Sequence, residues 1–199
     1  MNKLSATLAA ALLAISGAAQ ANVLNGGFES GLTGWTTTGT TSASGVNVFA
    51  GAASALITTD ANTNLTTFSG ASIPGTGGGG ISQTFNLSGA GTLSFQWDFN
   101  SGEALGSGFN DAAYVVVDGV ATLLQDSSTA FNGYQAFSMN LAAGSHTVAF
   151  VATDVGDTVV DSSLFIDDVS ATGNNVPEPG SLALLGLGLV GLVAARKRK

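Results

Sequence analysis

The sequence predicts an all-β protein, a two-sheet jelly-roll sandwich, flanked by an N-terminal signal peptide and a single C-terminal apolar helix. Three observations carry that expectation. Short runs of β-branched and aromatic residues, bounded by Gly, Asn and Asp, recur along residues 22–173. At least eight such runs fall within roughly 150 residues, the usual size of one domain, which favours a two-layer β-sandwich. No repeat of fixed period and no long amphipathic helix competes with them, which sets solenoids and propellers aside.

Taken in order, the expected strands begin with residues 46–50 and 54–59. Residues 75–80, five glycines and Thr76, are too glycine-rich for a strand interior and read as a loop before a strand at 81–87. The clearest strand is 92–100, where Leu93, Phe95, Trp97 and Phe99 alternate with Ser94, Gln96 and Asp98. Four large apolar residues on one face mark it as core, which turns Gln96 and Asp98 to the opposite face. Residues 113–117 and 120–124 read as a hairpin, because Asp118-Gly119 readily takes the positive-φ turn that matches strand twist. Further strands are expected at 134–141, 146–153 and 163–172.

The two ends read as addresses. Lys3, an apolar stretch over residues 4–15 and the small-x-small site Ala19-Gln20-Ala21 form an export signal, so signal peptidase is expected to leave a mature chain starting at Asn22. At the other end Val176-Pro177-Glu178-Pro179 makes a rigid turn, residues 181–195 are uncharged and apolar, and Arg196-Lys197-Arg198-Lys199 is a basic stop. The apolar run is short against the roughly 20 residues of a spanning helix, and its glycines weaken it further, which suits a transient anchor. The organisation is therefore 1–21 signal peptide, 22–173 body and 174–199 sorting segment. This tail resembles the PEP-CTERM sorting signal of Gram-negative bacteria. The resemblance implies cutting by an exosortase-type membrane protease, a passing contact with the inner membrane, and delivery to the cell envelope, the surface or the exterior.

Charge narrows the function. The chain has five Lys and Arg, all outside 22–173, and of its thirteen acids only Glu178 lies in the tail. A body with twelve carboxylates and no Lys or Arg cannot neutralise phosphates, which excludes nucleic acid as a partner. With no cysteine, disulfides, thiol catalysis and cysteine-bound zinc are excluded as well. His146, the one histidine, lacks the elbow or oxyanion context of a serine hydrolase and reads as a strand-start residue. Asp154, Asp157 and Asp161 lack EF-hand spacing and read as a solvated connection.

The body opens Asn25-Gly26-Gly27-Phe28-Glu29-Ser30-Gly31, reaches Gly34-Trp35 and closes Leu164-Phe165-Ile166-Asp167-Asp168-Val169. This pairing resembles the carbohydrate-binding-module type of jelly roll, the galactose-binding-like fold. The resemblance implies a structural calcium tying the first and last strands through the Gly27 carbonyl, Glu29 and Asp167. Some members add an acid where this chain has Ala50 and Ala53, so a weak site is expected. It also implies a groove on the face that carries Gln96 and Asp98. Of the aromatic residues, Trp35 and Trp97 are candidate sugar platforms, although Trp97 shares its face with core residues. Tyr114 and Tyr134 are the better contact candidates.

The function expected is binding of extracellular polysaccharide or a structural role in exopolysaccharide and biofilm, without catalysis. One alternative is a surface polysaccharide-degrading enzyme that uses paired carboxylates. Another is ice binding, to which the threonines of residues 36–41 give superficial support, with no repeated array behind them.

Overall fold

The computed structural model describes residues 23–129, 133–156 and 159–173, together with Gly186 and Arg196. The predicted signal peptide, Val176, Pro177, Glu178, Pro179 and the apolar run at 181–195 as a segment lie outside the described residues, as does Asp157. Among the described residues no helix is long and apolar enough to cross a membrane.

Two antiparallel five-stranded sheets face each other. The first has the order β1 (Thr36–Thr38), β4 (Gly77–Leu87), β9 (Gly144–Asp154), β6 (Ala112–Val117), β7 (Val120–Asp126). The second has the order β2 (Thr41–Ser44), β3 (Ser54–Thr58), β10 (Ser163–Gly173), β5 (Gly91–Asn100), β8 (Gln135–Leu141). The chain crosses repeatedly from one sheet to the other, which is the all-β jelly-roll architecture expected. One five-residue helix, α1 (Leu65–Ser69), interrupts it. Asn64 caps α1 by accepting from the Thr67 N–H, and Gly70 ends it in the left-handed region.

The core follows from period-2 alternation. Leu93, Phe95, Trp97 and Phe99 of β5 point inward with Leu164 and Ile166 of β10, and meet Ile81, Phe85, Val115, Val148 and Phe150 from the first sheet. Phe95 joins the layers, stacked on Phe137 at 4.8 Å and edge-on to Phe150 at 4.7 Å. Trp35 closes one side, 7% exposed and against Phe28 and Phe150, with its indole N–H donated to the Asn25 carbonyl. Both tryptophans are therefore core residues rather than sugar platforms.

Three expectations are corrected. Residues 46–50 form a loop, not a strand: Asn47 sits at φ 56°, and the N–H groups of Phe49 and Ala50 bond a carboxylate instead of a neighbouring strand. Residues 77–80 belong to β4, which begins four residues before the expected start. Its glycines are there because other backbone passes too close for a side chain: a Cβ on Gly77 would land on the Ala61 carbonyl, and one on Gly79 would sit 2.9 Å from the Thr58 carbonyl oxygen. Asp154 is no part of a solvated connection; it ends β9, almost fully buried. Sequence reading also passed over β1, β2 and α1, which are short and built from Thr, Ser and Ala with few large apolar residues.

The hairpin at Asp118-Gly119 forms as expected, with φ 51° and 78°. Asp118 also ties the turn to β9, accepting from the Thr147 N–H at 2.8 Å and pairing with His146 Nδ1 at 2.7 Å. His146 Nε2 faces the Ala142 carbonyl at 2.9 Å. Both ring nitrogens thus face acceptors, which favours the imidazolium, and the hydrogen bond to Asp118 raises the pKa of His146 above its ordinary 6.5.

Candidate functional site

The site is assembled on the outer face of the second sheet, and strand register decides who belongs to it. Residues directly opposite in an antiparallel pair point the same way. Asp98 is level with Phe165 on β10, which is level with Leu56 on β3. The next row holds Asp167, Gln96 and Ala136, the next Ser170, Ser94 and Ser138, and the last Thr172, Thr92 and Asn140. Away from its acidic end, this face is a ladder of hydroxyls and amides with no charge.

A loop at residues 45–53 covers the acidic end, and carboxylates hold it down. Asp167, fully buried, accepts from the N–H groups of Phe49 at 3.0 Å and Ala50 at 2.9 Å through Oδ2, and from its own neighbour Asp168 at 2.7 Å through Oδ1. Glu29 Oε1 accepts from the N–H groups of Ala52 at 2.8 Å and Ala53 at 3.2 Å. A Cβ on Gly51, which stands at φ 73°, would fall on that oxygen. Charge-assisted bonds of this kind are roughly twice as strong as neutral ones, so the two acids fix the loop's backbone.

Asn47 is the hinge of the arrangement. Its Nδ2 donates to Asp98 Oδ2 at 2.6 Å, while its carbonyl accepts from Tyr134 Oη at 2.7 Å and Ser54 Oγ at 3.1 Å. Asp98 is 3% exposed; Asn100 also donates to Oδ2, and Oδ1 is buried with no protein partner. Tyr134 lies beside Phe49, ring centroids 5.4 Å apart. Burial, with the charges of Asp167 and Asp98 behind it and against a lowering bond from Ser54, pushes the Tyr134 phenol up to about 12. It stays a protonated donor throughout the physiological range. Phe49 is 49% exposed and Gln96 is half-buried, with no hydrogen bond to its amide among the described residues.

Of the four predicted ligand contacts, the structure brings Gln96, Asp98 and Tyr134 together. Tyr114 lies elsewhere, on the outer face of the first sheet, packed against the apolar cluster of Leu65, Val116 and Val151. Burial, with the charge of Asp126 second, raises its pKa. Asn47 and Phe49 were missed, because Val46-Asn47-Val48-Phe49 reads as a strand by its β-branched and aromatic content. The one contrary signal was Asn47 itself, a residue that tolerates φ > 0.

The opening and closing motifs do meet. A β-bulge between Asp167 and Ser170, with Asp168 at φ 50°, turns Val169 inward, and the Val169 N–H bonds the Gly26 carbonyl at 2.9 Å. Glu29 and Asp167 converge on one loop, and Glu29 Oε2 and the Gly27 carbonyl accept no hydrogen bond among the described residues. These are hard oxygens of the kind calcium takes, although backbone amides already claim five bonds from the two carboxylates. No group of three or more His, Cys, Asp or Glu side chains that could hold a metal occurs among the described residues.

The fold is a two-sheet β-sandwich whose structural neighbours include carbohydrate-binding modules. Residues 175–199 match the PEP-CTERM protein-sorting motif, which marks a secreted, exosortase-processed protein of the cell envelope. Among solved structures the chain is similar to the carbohydrate-binding module TmCBM61, solved in complex with beta-1,4-galactotriose, at 17% identity and a TM-score of 0.50, covering 77% of this chain and 99% of that one. It is also similar to a family 16 carbohydrate-binding module, at 15% identity and a TM-score of 0.45, covering 75% and 98%. A third is a carbohydrate-binding module of the β-sandwich superfamily, at 15% identity and a TM-score of 0.48, covering 73% and 60%. No curated protein matches the chain.

Proposed function

We propose that the body is an exported, non-catalytic carbohydrate-binding domain whose site is the outer face of the second sheet. The observation that carries this reading is the convergence of an exposed aromatic edge, Phe49 beside Tyr134, with the uncharged ladder that starts at Gln96. An aromatic surface takes the apolar face of a pyranose, and amides and hydroxyls beside it take the ring hydroxyls. The ligand is a neutral glycan, since the body has no Lys or Arg to hold an acidic one. After signal peptidase cleavage and removal of a transient inner-membrane anchor in a Gram-negative envelope, the domain acts in exopolysaccharide or biofilm structure.

Calcium stands as part of this proposal: Gly27, Glu29 and Asp167 would hold it and add stability at the junction of opening and closing motifs, with low affinity because backbone amides compete for the same oxygens. Thermal melts of the full chain in millimolar calcium and in excess chelator test it, with Asp167→Asn as control; equal melting temperatures count against calcium.

Two further readings have less behind them. Paired-carboxylate hydrolysis needs two acids facing across an open cleft. Asp98 and Asp167 share a face, but both are buried under the 45–53 loop and bonded to it. Ice binding needs one flat threonine face, whereas Thr36–Thr38 lies in the first sheet and Thr41 in the second. A glycan array probed with wild type and Tyr134→Ala tests the binding proposal: neutral polysaccharides retained by wild type and lost by the variant support it, and an array silent for wild type refutes it.

A further inference from the structure

A pocket of about 500 Å³ lies on the other side of the molecule, between the α1 segment and the edge where β4 begins and β9 finishes. Its lining includes Asn62, Asn64, Leu65, Thr67, Ile73 and Thr153. No lining residue carries a charge. Leu65 and Ile73 belong to the apolar cluster under α1 and are almost fully buried, so they give the pocket only a small apolar floor. The rim is different: the side chain of Asn62, the Nδ2 of Asn64 and the hydroxyl of Thr67 make no hydrogen bond among the described residues, and all three residues are exposed.

The walls are fixed. Thr63 Oγ1 donates to the Gly78 carbonyl, Thr153 Oγ1 donates to the Pro74 carbonyl at 2.7 Å, and the Thr66 hydroxyl accepts from the Ile73 N–H at 3.2 Å. A Cβ on Gly75 would land on Thr153 Oγ1 and one on Gly77 on the Ala61 carbonyl, so bare backbone forms that side and cannot be replaced by larger residues. The pocket is thus a preformed, half-open recess with a small apolar floor and uncommitted neutral donors and acceptors at its rim, able to hold a small polar ligand.

We propose that this pocket is a second carbohydrate site, which takes a single neutral sugar unit, such as a chain terminus or a side branch, by hydrogen bonds between its hydroxyls and Asn62, Asn64 and Thr67 above a small apolar floor at Leu65 and Ile73. Charged sugars are disfavoured, because nothing in the lining can compensate a carboxylate or an ammonium. The pocket's position adds a consequence. Gly77 pairs with Asp154 at one end of the sandwich, whereas β10 delivers Gly173 beside Gly91 at the other, about 35 Å away along an eleven-residue strand. The sorting segment at 175–199 follows from that far end, so the pocket lies at the end of the sandwich opposite the point where the sorting segment joins. With the outer face of the second sheet as one site and this pocket as another, a single domain can bridge two glycan chains.

The test is an amide NMR titration of the full-length chain, in a detergent without a sugar headgroup, with D-galactose, D-glucose and N-acetyl-D-glucosamine, and with D-glucuronate and D-glucosamine as charged probes. The expected result is saturable shifts confined to residues 62–77 and around Thr153 for at least one neutral sugar. Thr67→Trp and Asn62→Trp, which fill the rim at exposed positions, should each weaken it at least tenfold, and Tyr134→Ala should leave it unchanged. Shifts confined to the Gln96 and Tyr134 face, or no saturable shift at all, overturn the pocket while leaving the first site to its own test. Equal response to the charged sugars overturns the neutral assignment.

Discussion

The two sheets have opposite outer faces. That of the first sheet is apolar and covered where α1 lies: Val116, Ala149 and Val151 sit beneath Leu65, Ala71 and Ile73, so β9 is buried on both sides along most of its length. That of the second sheet is polar, its ladder partly open to solvent, and its acidic end is covered by a loop held by carboxylates. One face is closed by the hydrophobic effect, which is non-directional, and the other by hydrogen bonds, which fix positions. The difference teaches where a sheet-surface site can reside: strands sealed beneath α1 leave a sugar only the recess at the α1 edge, whereas a loop pinned through its backbone amides holds Phe49 and Tyr134 in place without covering them.

An aspartate introduced on each of the two faces should break the comparison most visibly. Val151→Asp places an uncompensated carboxylate under α1 and should cost about 4 kcal/mol or prevent folding. Ser138→Asp on the exposed ladder should stay within about 0.5 kcal/mol. Chemical denaturation followed by tryptophan fluorescence measures both, and comparable losses would contradict the assignment of the faces.

Next in size is the clasp. Asp167→Ala removes the acceptor of three backbone N–H groups and should destabilise by about 3 kcal/mol, with the largest rise in hydrogen exchange at residues 49–53. Protection unchanged in that loop would show that something other than the carboxylate holds it.

Tyr134→Phe keeps the ring beside Phe49 and deletes the bond to Asn47, for a loss of about 1 kcal/mol. The pH dependence has a defined sign. With the folded pKa raised to about 12, the contribution is complete below the ordinary value of 10 and is lost as pH rises from 10 through 12. A denaturation midpoint flat over that range, or one falling equally in Tyr134→Phe, contradicts it.

The smallest effect lies at the hairpin. His146, with its pKa raised, stabilises fully below 6.5 and less as pH rises through its folded value. For Asp118, burial works to raise the pKa, but the bonds from His146 and the Thr147 N–H and the charge of His146 outweigh it, so its contribution is present above 3.8 and lost as pH falls. The pair therefore contributes most between about 4 and 6.5. His146→Gln should flatten the profile in that window, and a profile identical to wild type would show that the pair contributes nothing.

Legibility in sequence followed the same division. The inward faces were readable, because Leu93, Phe95, Trp97 and Phe99 obey a period of two that only a half-buried strand requires, and the same reading sent Gln96 and Asp98 outward. The hairpin at Asp118-Gly119 was readable because the turn has its own chemistry. Residues 77–80 were not, since what makes glycine necessary there is the Ala61 and Thr58 backbone crossing from elsewhere in the chain. Nor was the loop that carries Asn47 and Phe49: its local composition is that of a strand, and the acceptors that pull it out of a sheet, Asp167 and Glu29, are distant in sequence. Tyr114 and Tyr134 looked equivalent because nothing local to either tells which face of which sheet it occupies.

The central claim is that a neutral glycan binds across Phe49, Tyr134 and Gln96, and one measurement addresses it directly. Backbone-amide NMR of the full-length chain, titrated with a neutral oligosaccharide selected on the array, should show saturable shifts along β5 and β8 on the outer face and in the 45–53 loop. Phe49→Ala and Gln96→Ala should each weaken that binding roughly tenfold, about 1.4 kcal/mol, without loss of fold. Saturable binding that leaves these strands unshifted, or affinity indifferent to both substitutions, would contradict the account.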